Sequence, residues 1–290
     1  MNLEFNDLLK KAGIDPASTM VMRHRPTEKA LRDVLPWLVE EDPDLFLAFQ
    51  QSHGPRTESA LSRASHLASF IADGPGRALF CGLYRVDGHR QVTPKQFWAI
   101  PEFKKLKRFG TRGPRPGQNP LVFDLELLET LYTLKGRLVV GWPGIERSWW
   151  RWSARNVFPV EAIHAENMLT PRMDDWNRLV FSWQQLQVMP RSWRETLTQW
   201  RGIYYIHDAE SNLGYVGSAY GTDNIWGRWS IYAANGHGGN RHLRGRDAQH
   251  FSFSILQVLN PDMAADDVIR IESSWKERLH TRHPEGLNDN

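Results

Sequence analysis

The chain has 290 residues, which at about 150 residues per domain suggests two domains or one large one, and its 41% hydrophobic and 24% charged residues form a globular composition that excludes wholesale disorder. No run of about 18 or more apolar residues is present to span a bilayer as a helix, and the single cysteine, Cys81, excludes an intrachain disulfide framework and a thiolate zinc site. The net charge of +3 is unevenly placed: residues 201–290 carry nine Lys and Arg against eleven Asp and Glu, while the first 200 carry 27 against 22.

The N-terminus, MNLEFNDLLKKAG, mixes charges and lacks the apolar stretch of an export signal, so a cytoplasmic location is the expectation. Apolar residues recurring at three and four predict helices over 2–12, 27–40 and 57–72. In the third, Ala60, Ala64, Leu67, Ala68 and Ile71 share a face. Gly74-Pro75-Gly76 breaks that pattern, and strand-like runs follow at 78–86, 121–125, 137–142 and 157–163. The Pro- and Gly-rich stretch 101–120 reads as an exposed loop. Residues 174–200 read as a connector ending in a helix, with Ser192 as its cap and Glu195 three residues on. The expected division is an N-terminal region over 1–190, helices then strands, and a second domain over 191–290.

Beyond Arg201 the character changes. Gly202-Ile203-Tyr204-Tyr205-Ile206 and Leu213-Gly214-Tyr215-Val216-Gly217 are short strands around a polar loop, a hairpin in which Ile206 faces Leu213 and Tyr204 faces Tyr215. Two phenols then point to one side of the sheet; alone, that is an ordinary core pair. In the helix over 225–234, which Thr222 or Asp223 caps and Gly236 ends, Arg228 lies on the apolar stripe of Ile225, Trp229, Tyr232 and Ala233. In the helix over 265–279, Glu272 lies among Val268, Ile271, Trp275 and Leu279. A buried arginine needs an anion, and a buried carboxylate needs a cation or a cage of donors. Phosphodiester hydrolysis needs a group to activate water, a cation on the phosphate and stabilisation of the leaving oxygen. One carboxylate suffices for Mg²⁺, which keeps most of its waters.

Gly202-Ile203-Tyr204, Tyr215-Val216-Gly217, Arg228, Glu272 and Asn288, in this order and spacing, resemble the GIY-YIG nuclease family over roughly 202–290. The run Gly236-His237-Gly238-Gly239-Asn240 and the ending Gly286-Leu287-Asn288-Asp289-Asn290 are similar to a bacterial branch in which a long N-terminal region precedes the nuclease domain. The central motif reads Tyr-Val-Gly, a common variant, and the stretch from Tyr215 to Arg228 is extended. The resemblance implies an α+β chain whose last domain has a short, mainly antiparallel sheet flanked by helices. It implies a single metal ion, Mg²⁺ with Mn²⁺ as substitute, held by Glu272. It further implies Tyr204 as general base, Tyr215 orienting water or phosphate, and Arg228 gripping the scissile phosphate. Tyr232 relays a proton or holds Tyr204, and His237 is the other candidate for the relay unless it only bonds to the backbone. Asn288 bonds to phosphate or a tyrosine, or tethers the C-terminus.

In the first 200 residues the run Lys104, Lys105, Lys107, Arg108, Arg112, Arg115 contains no acid, and Arg147-Ser148-Trp149-Trp150-Arg151-Trp152 interleaves cations with indoles. Basic side chains track phosphates and aromatics stack on exposed bases; a solvated loop and core tryptophans explain the same residues. The six cations with Trp149 and Trp152 are therefore the candidate DNA-binding set, and a Trp-lined pocket would suit a flipped, modified base. The leading expectation is a metal-dependent DNA endonuclease of restriction or anti-phage type, with double-strand breaks made by a homodimer or by two sequential nicks. A repair or mobile-element nuclease and a DNA-binding protein with a degenerate nuclease domain remain as alternatives.

Overall fold

The computed structural model describes residues 3–144 and 148–289. The chain divides into two compact units, Met1–Pro171 and Arg172–Asn290, each a mixture of helices and sheet, so the α+β expectation holds. No helix among the described residues is long and apolar enough to cross a membrane.

In the first unit α1 (Phe5–Lys11) leads to β1 (Thr19–His24), three helices α2 (Lys29–Glu41), α3 (Pro43–Gln51) and α4 (Pro55–Leu61), then β2 (His66–Ala72) and the long β3 (Arg77–Gln91). Two short helices, α5 (Pro94–Ala99) and α6 (Pro101–Lys107), precede β4 (Leu121–Leu127), β5 (Leu138–Gly141), β6 (Trp150–Trp152) and β7 (Val160–Ile163). The sheet runs β6-β1-β2-β3-β5-β7, with β4 also on β3. Its one parallel pair, β1 with β2, needs a long crossover, which α2–α4 supply. Phe5, Phe70, Phe80 and Phe158 pack one core and Met20, Met22, Leu67 and Phe123 another.

Three expectations change here. The helix over 57–72 ends at Leu61, and Leu67–Ile71 lies within β2. All five of those residues are buried, and a strand covered on both faces shows no alternation, so helical spacing arises there by chance. The loop over 101–120 begins with α6: Pro101 sits at a first helical position, where its missing N–H costs nothing, and Phe103, Leu106 and Phe109 anchor the segment. Neither β1 nor α3 was expected, because β1 is buried along its whole length and α3 carries few polar residues to mark a face.

The second unit opens with β8 (Val180–Ser182), α7 (Trp183–Gln187) and α8 (Arg191–Gln199). Then come β9 (Arg201–Asp208), β10 (Leu213–Ala219), α9 (Asn224–Asn235), β11 (Phe251–Leu259) and α10 (Ala265–Arg278). The sheet is antiparallel, in the order β10-β9-β11-β8. Because β8 pairs with β11, segment 172–190 belongs to this unit, ahead of the expected boundary at 190. Ser192 does not cap α8; Pro190 holds that position. On one face of the sheet Tyr204, Phe253 and Phe181 pack with Trp229 and Tyr232 of α9. On the other, Ile203, Val216 and Leu259 pack with Val268, Ile271 and Trp275 of α10. Leu279, expected in that inward row, is 39% exposed just past the end of α10.

Candidate functional site

The β9–β10 hairpin places Tyr204 opposite Gly217 and Tyr215 opposite Ile206, a register two residues from the one expected. A shift of two leaves every side chain on its face, so both phenols still point the same way, with ring centroids 6.4 Å apart. The register also gives a reason for Gly217. A Cβ there would lie 2.4 Å from the Tyr204 hydroxyl, so only glycine lets the phenol lie across β10.

The fully buried Tyr204 hydroxyl meets that of Tyr232 at 3.2 Å and receives Arg228 Nε–H at 3.4 Å. Helix α9 presents Arg228 and Tyr232 one turn apart, with the guanidinium over the Tyr232 ring. Gly236, in the left-handed region at φ 79°, ends α9 as expected; its N–H bonds to the Tyr232 carbonyl, while Asp223 occupies the N-cap without a side-chain bond. Burial pushes the Tyr204 phenol above its ordinary value, the nearby Tyr215 adds to this, and Arg228 opposes it. Burial likewise raises Tyr232. The phenol Tyr204, first of all, keeps Arg228 charged.

Since β10 is an edge strand, side chains from both of its faces reach one hollow of about 370 Å³, lined by Tyr204, Tyr215, Ser218, Tyr220, Arg228 and Glu272. Glu272 is not a lone carboxylate. Its Oε1 lies 2.8 Å from Lys276 Nζ, with only 15% and 16% of the two side chains exposed, and its Oε2 accepts from Ser218 Oγ. Lys276 lies four residues on along α10, the spacing at which helical side chains meet. That spacing was readable in the sequence; Ser218 carried no such signal.

Three expected residues, Tyr232, His237 and Asn288, are not part of the lining of the hollow. His237 uses Nδ1 to accept the Gly239 N–H at 3.0 Å, a loop-fixing role, which leaves Tyr232 as the neighbour of Tyr204. Asn288 bonds through Nδ2 to the Val216 carbonyl at 2.8 Å and accepts the Val216 N–H at 2.9 Å, acting as a strand partner for β10 between Tyr215 and Gly217. It is a tether that sets the strand carrying Tyr215. Asn290 lies outside the described residues.

Among the described residues no three His, Cys, Asp or Glu side chains gather as a metal cluster. The hollow nevertheless fits a hard divalent ion. Its donors are oxygen, with one carboxylate turned into it, and such an ion takes its remaining ligands from water and phosphate.

In the first unit Lys104, Lys105 and Lys107 are exposed on α6, Arg108 follows at its C-cap, and Arg112 and Arg115 are exposed beyond it. Arg112, Arg115 and Trp149 line a second, larger cavity. Trp152 does not; it pairs with Met20 across β1 and β6 and packs on a core cluster. Arg147 lies outside the described residues.

Residues 201–287 match the family described as the GIY-YIG catalytic domain, so the C-terminal part of the chain is a GIY-YIG domain. The chain is also similar to the solved catalytic domain of the homing endonuclease I-TevI, at 28% identity over 31% of this chain and 98% of that one, with a TM-score of 0.26. No curated protein matches the chain.

Proposed function

We propose that the protein is a metal-dependent DNA endonuclease that hydrolyses phosphodiester bonds at the Tyr204–Arg228–Glu272 hollow. The observation that carries this reading is that one hollow gathers the Arg228 cation, the Tyr204 and Tyr215 phenols and the Glu272 carboxylate, each from a different element of a nuclease-family domain. Arg228 offers a planar fork that grips two phosphate oxygens at once. A water attacks the phosphorus in line as Tyr204, in its phenolate form beside Arg228, accepts the water's proton, and the bond to the leaving oxygen breaks. Tyr215 orients the water or the phosphate, and Tyr232 holds the Tyr204 oxygen. A divalent ion held at Glu272, Mg²⁺ or in its place Mn²⁺, supplies charge stabilisation to the phosphate.

The biological reading is a cytoplasmic restriction or anti-phage nuclease acting on foreign, base-modified DNA. The basic residues around α6 support placing DNA selection in the first unit, because the acidic C-terminal 90 residues offer little attraction to a polyanion. One metal serves one strand, so double-strand breaks come from a homodimer. The test is digestion of supercoiled plasmid with Mg²⁺, using unmodified and phage-modified DNA. Nicked or linear product from the wild-type chain, and none from Glu272→Ala, is expected. Equal cutting by both proteins would remove Glu272 from the site, and no cutting under any condition would leave a DNA-binding protein.

A further inference from the structure

The larger cavity lies wholly among residues of the first unit and takes no part in the reaction proposed above. It measures about 940 Å³, the upper end of the range for small-ligand sites. Phe49, Phe97, Phe103 and Trp149 supply flat apolar walls, and His24 and His53 supply polar edges. The rings stand close: His53 lies 5.4 Å from Trp149 between centroids, and His24 lies 5.2 Å from Phe49 and 6.2 Å from Trp149.

The polar edges are partly unanswered. His24 Nε2 faces Gln50 Oε1 at 3.3 Å, but His53 Nε2 is buried with no hydrogen-bond partner. Burial pulls the His24 pKa down to about 3 and that of His53 to about 4, so both rings are neutral at pH 7; Gln50 already engages His24 Nε2 and, through its backbone, the His53 ring, which leaves His53 Nε2 as the open edge nitrogen. A buried ring nitrogen without a partner is costly, and one that lines a cavity gains most from a ligand with a complementary edge. Arg112 and Arg115, from the acid-free run that starts on α6, lie exposed along the same cavity. Flat aromatic walls, a neutral hydrogen-bonding edge and cations beside them match one ligand chemistry. It is a planar heterocycle on a phosphodiester chain.

We propose that this cavity receives a nucleobase turned out of the DNA duplex, stacked against Trp149 and met at its edge by His53, with Arg112 and Arg115 on the flanking phosphates. The space is larger than a bare base fills, which leaves room for a substituent on the ring. The inference rests on the endonuclease reading for the identity of the nucleic acid, and it gives the first unit a site of its own. Extruding a base costs stacking and pairing, least where the base is altered.

The test uses the full chain in EDTA, so that nothing is cut, with duplexes holding 2-aminopurine beside one central cytosine, 5-methylcytosine, 5-hydroxymethylcytosine or glucosylated 5-hydroxymethylcytosine. Emission from 2-aminopurine rises when its neighbour leaves the stack. A several-fold rise on at least one duplex is expected. His53→Asn and Trp149→Phe should each reduce it at least threefold, with melting temperatures within a few degrees of wild type to show that both fold. Binding without a rise on any duplex, or a rise that both variants leave intact, would overturn the pocket. If the chain still cuts plasmid with Mg²⁺, that failure belongs to the pocket alone; a chain that neither binds nor cuts DNA overturns the endonuclease reading beneath it.

Discussion

The hollow of the C-terminal unit is small and polar, about 370 Å³ around Tyr204, Arg228 and Glu272, whereas the cavity of the N-terminal unit is about 940 Å³ and walled by Phe49, Phe97, Phe103 and Trp149. In the hollow the charges have protein partners: Glu272 holds Lys276 and Ser218, and Arg228 reaches Tyr204. In the cavity Nε2 of His53 has none. Groups fixed in place by their neighbours suit a reaction at a small charged centre, because they need no reorganisation as charge develops. Unanswered neutral edges between aromatic faces suit selection of a flat ligand. If cutting and choosing fall to different units, as proposed, each should be breakable without the other.

The largest effect is expected at Arg228. Arg228→Lys keeps a charge but loses the fork, and its single-turnover rate should fall about a hundredfold, close to that of Arg228→Ala. A lysine variant within a few-fold of wild type would reduce Arg228 to a generic cation.

Next comes the pH profile. Because burial holds the Tyr204 phenol above its ordinary value of 10.0, only a small fraction is deprotonated at neutrality. The cleavage rate should therefore climb about tenfold per pH unit from pH 7 to 9, and Tyr204→Phe should remove that slope. A flat profile with an active Tyr204→Phe would move the base elsewhere.

Lys276→Met tests the ion pair in the hollow. With Lys276 gone, Glu272 no longer divides its charge between an ammonium and a metal ion, so the Mg²⁺ concentration for half-maximal cleavage should drop several-fold. An unchanged or higher requirement would show that Lys276 does not compete. The same pair bears on stability: removing Glu272 takes away the partner of a largely buried ammonium, so Glu272→Ala should lower the metal-free melting temperature.

The smallest effect concerns acid. His24 and His53 have folded pKa values of about 3 and 4 against 6.5 for free histidine. Between those limits the unfolded chain binds more protons than the folded one, so stability is full above pH 6.5 and declines as pH falls toward 4. Each histidine contributes at most about 1.4 kcal/mol per pH unit. Melting temperatures from pH 7 to 4.5 should fall less steeply for His53→Asn than for wild type; parallel curves would place His53 in water.

Much of the C-terminal site was legible because its residues break local rules. Arg228 and Glu272 are charges on apolar helical stripes, and glycines flank Tyr204 and Tyr215 in the hairpin. What was not legible depends on contacts distant in sequence. Asn288 serves β10 as a strand partner across a separation of 72 residues, and Ser218 reaches Glu272 across 54. The hairpin register slipped by two because a polar loop of six residues fixes no turn type. In the first unit β2 looked helical since both of its faces are covered, and α6 was hidden behind its own Pro101. The cavity is assembled from α3, α5, α6 and the segment around Trp149, so no single stretch announces it.

The separation of choosing from cutting is tested most directly by measuring DNA affinity and saturated cleavage rate side by side, from 50 to 300 mM salt, for two variants of the full chain. One is Glu272→Ala and the other replaces Lys104, Lys105 and Lys107 with alanine. The account predicts that Glu272→Ala binds DNA with the wild-type salt slope and does not cut. The triple variant should lose affinity, with a slope flatter by up to about three phosphate contacts at about 0.9 each, and still cut at a near-normal rate once DNA saturates it. A triple variant that binds like wild type, or a Glu272→Ala chain that no longer binds, would contradict it.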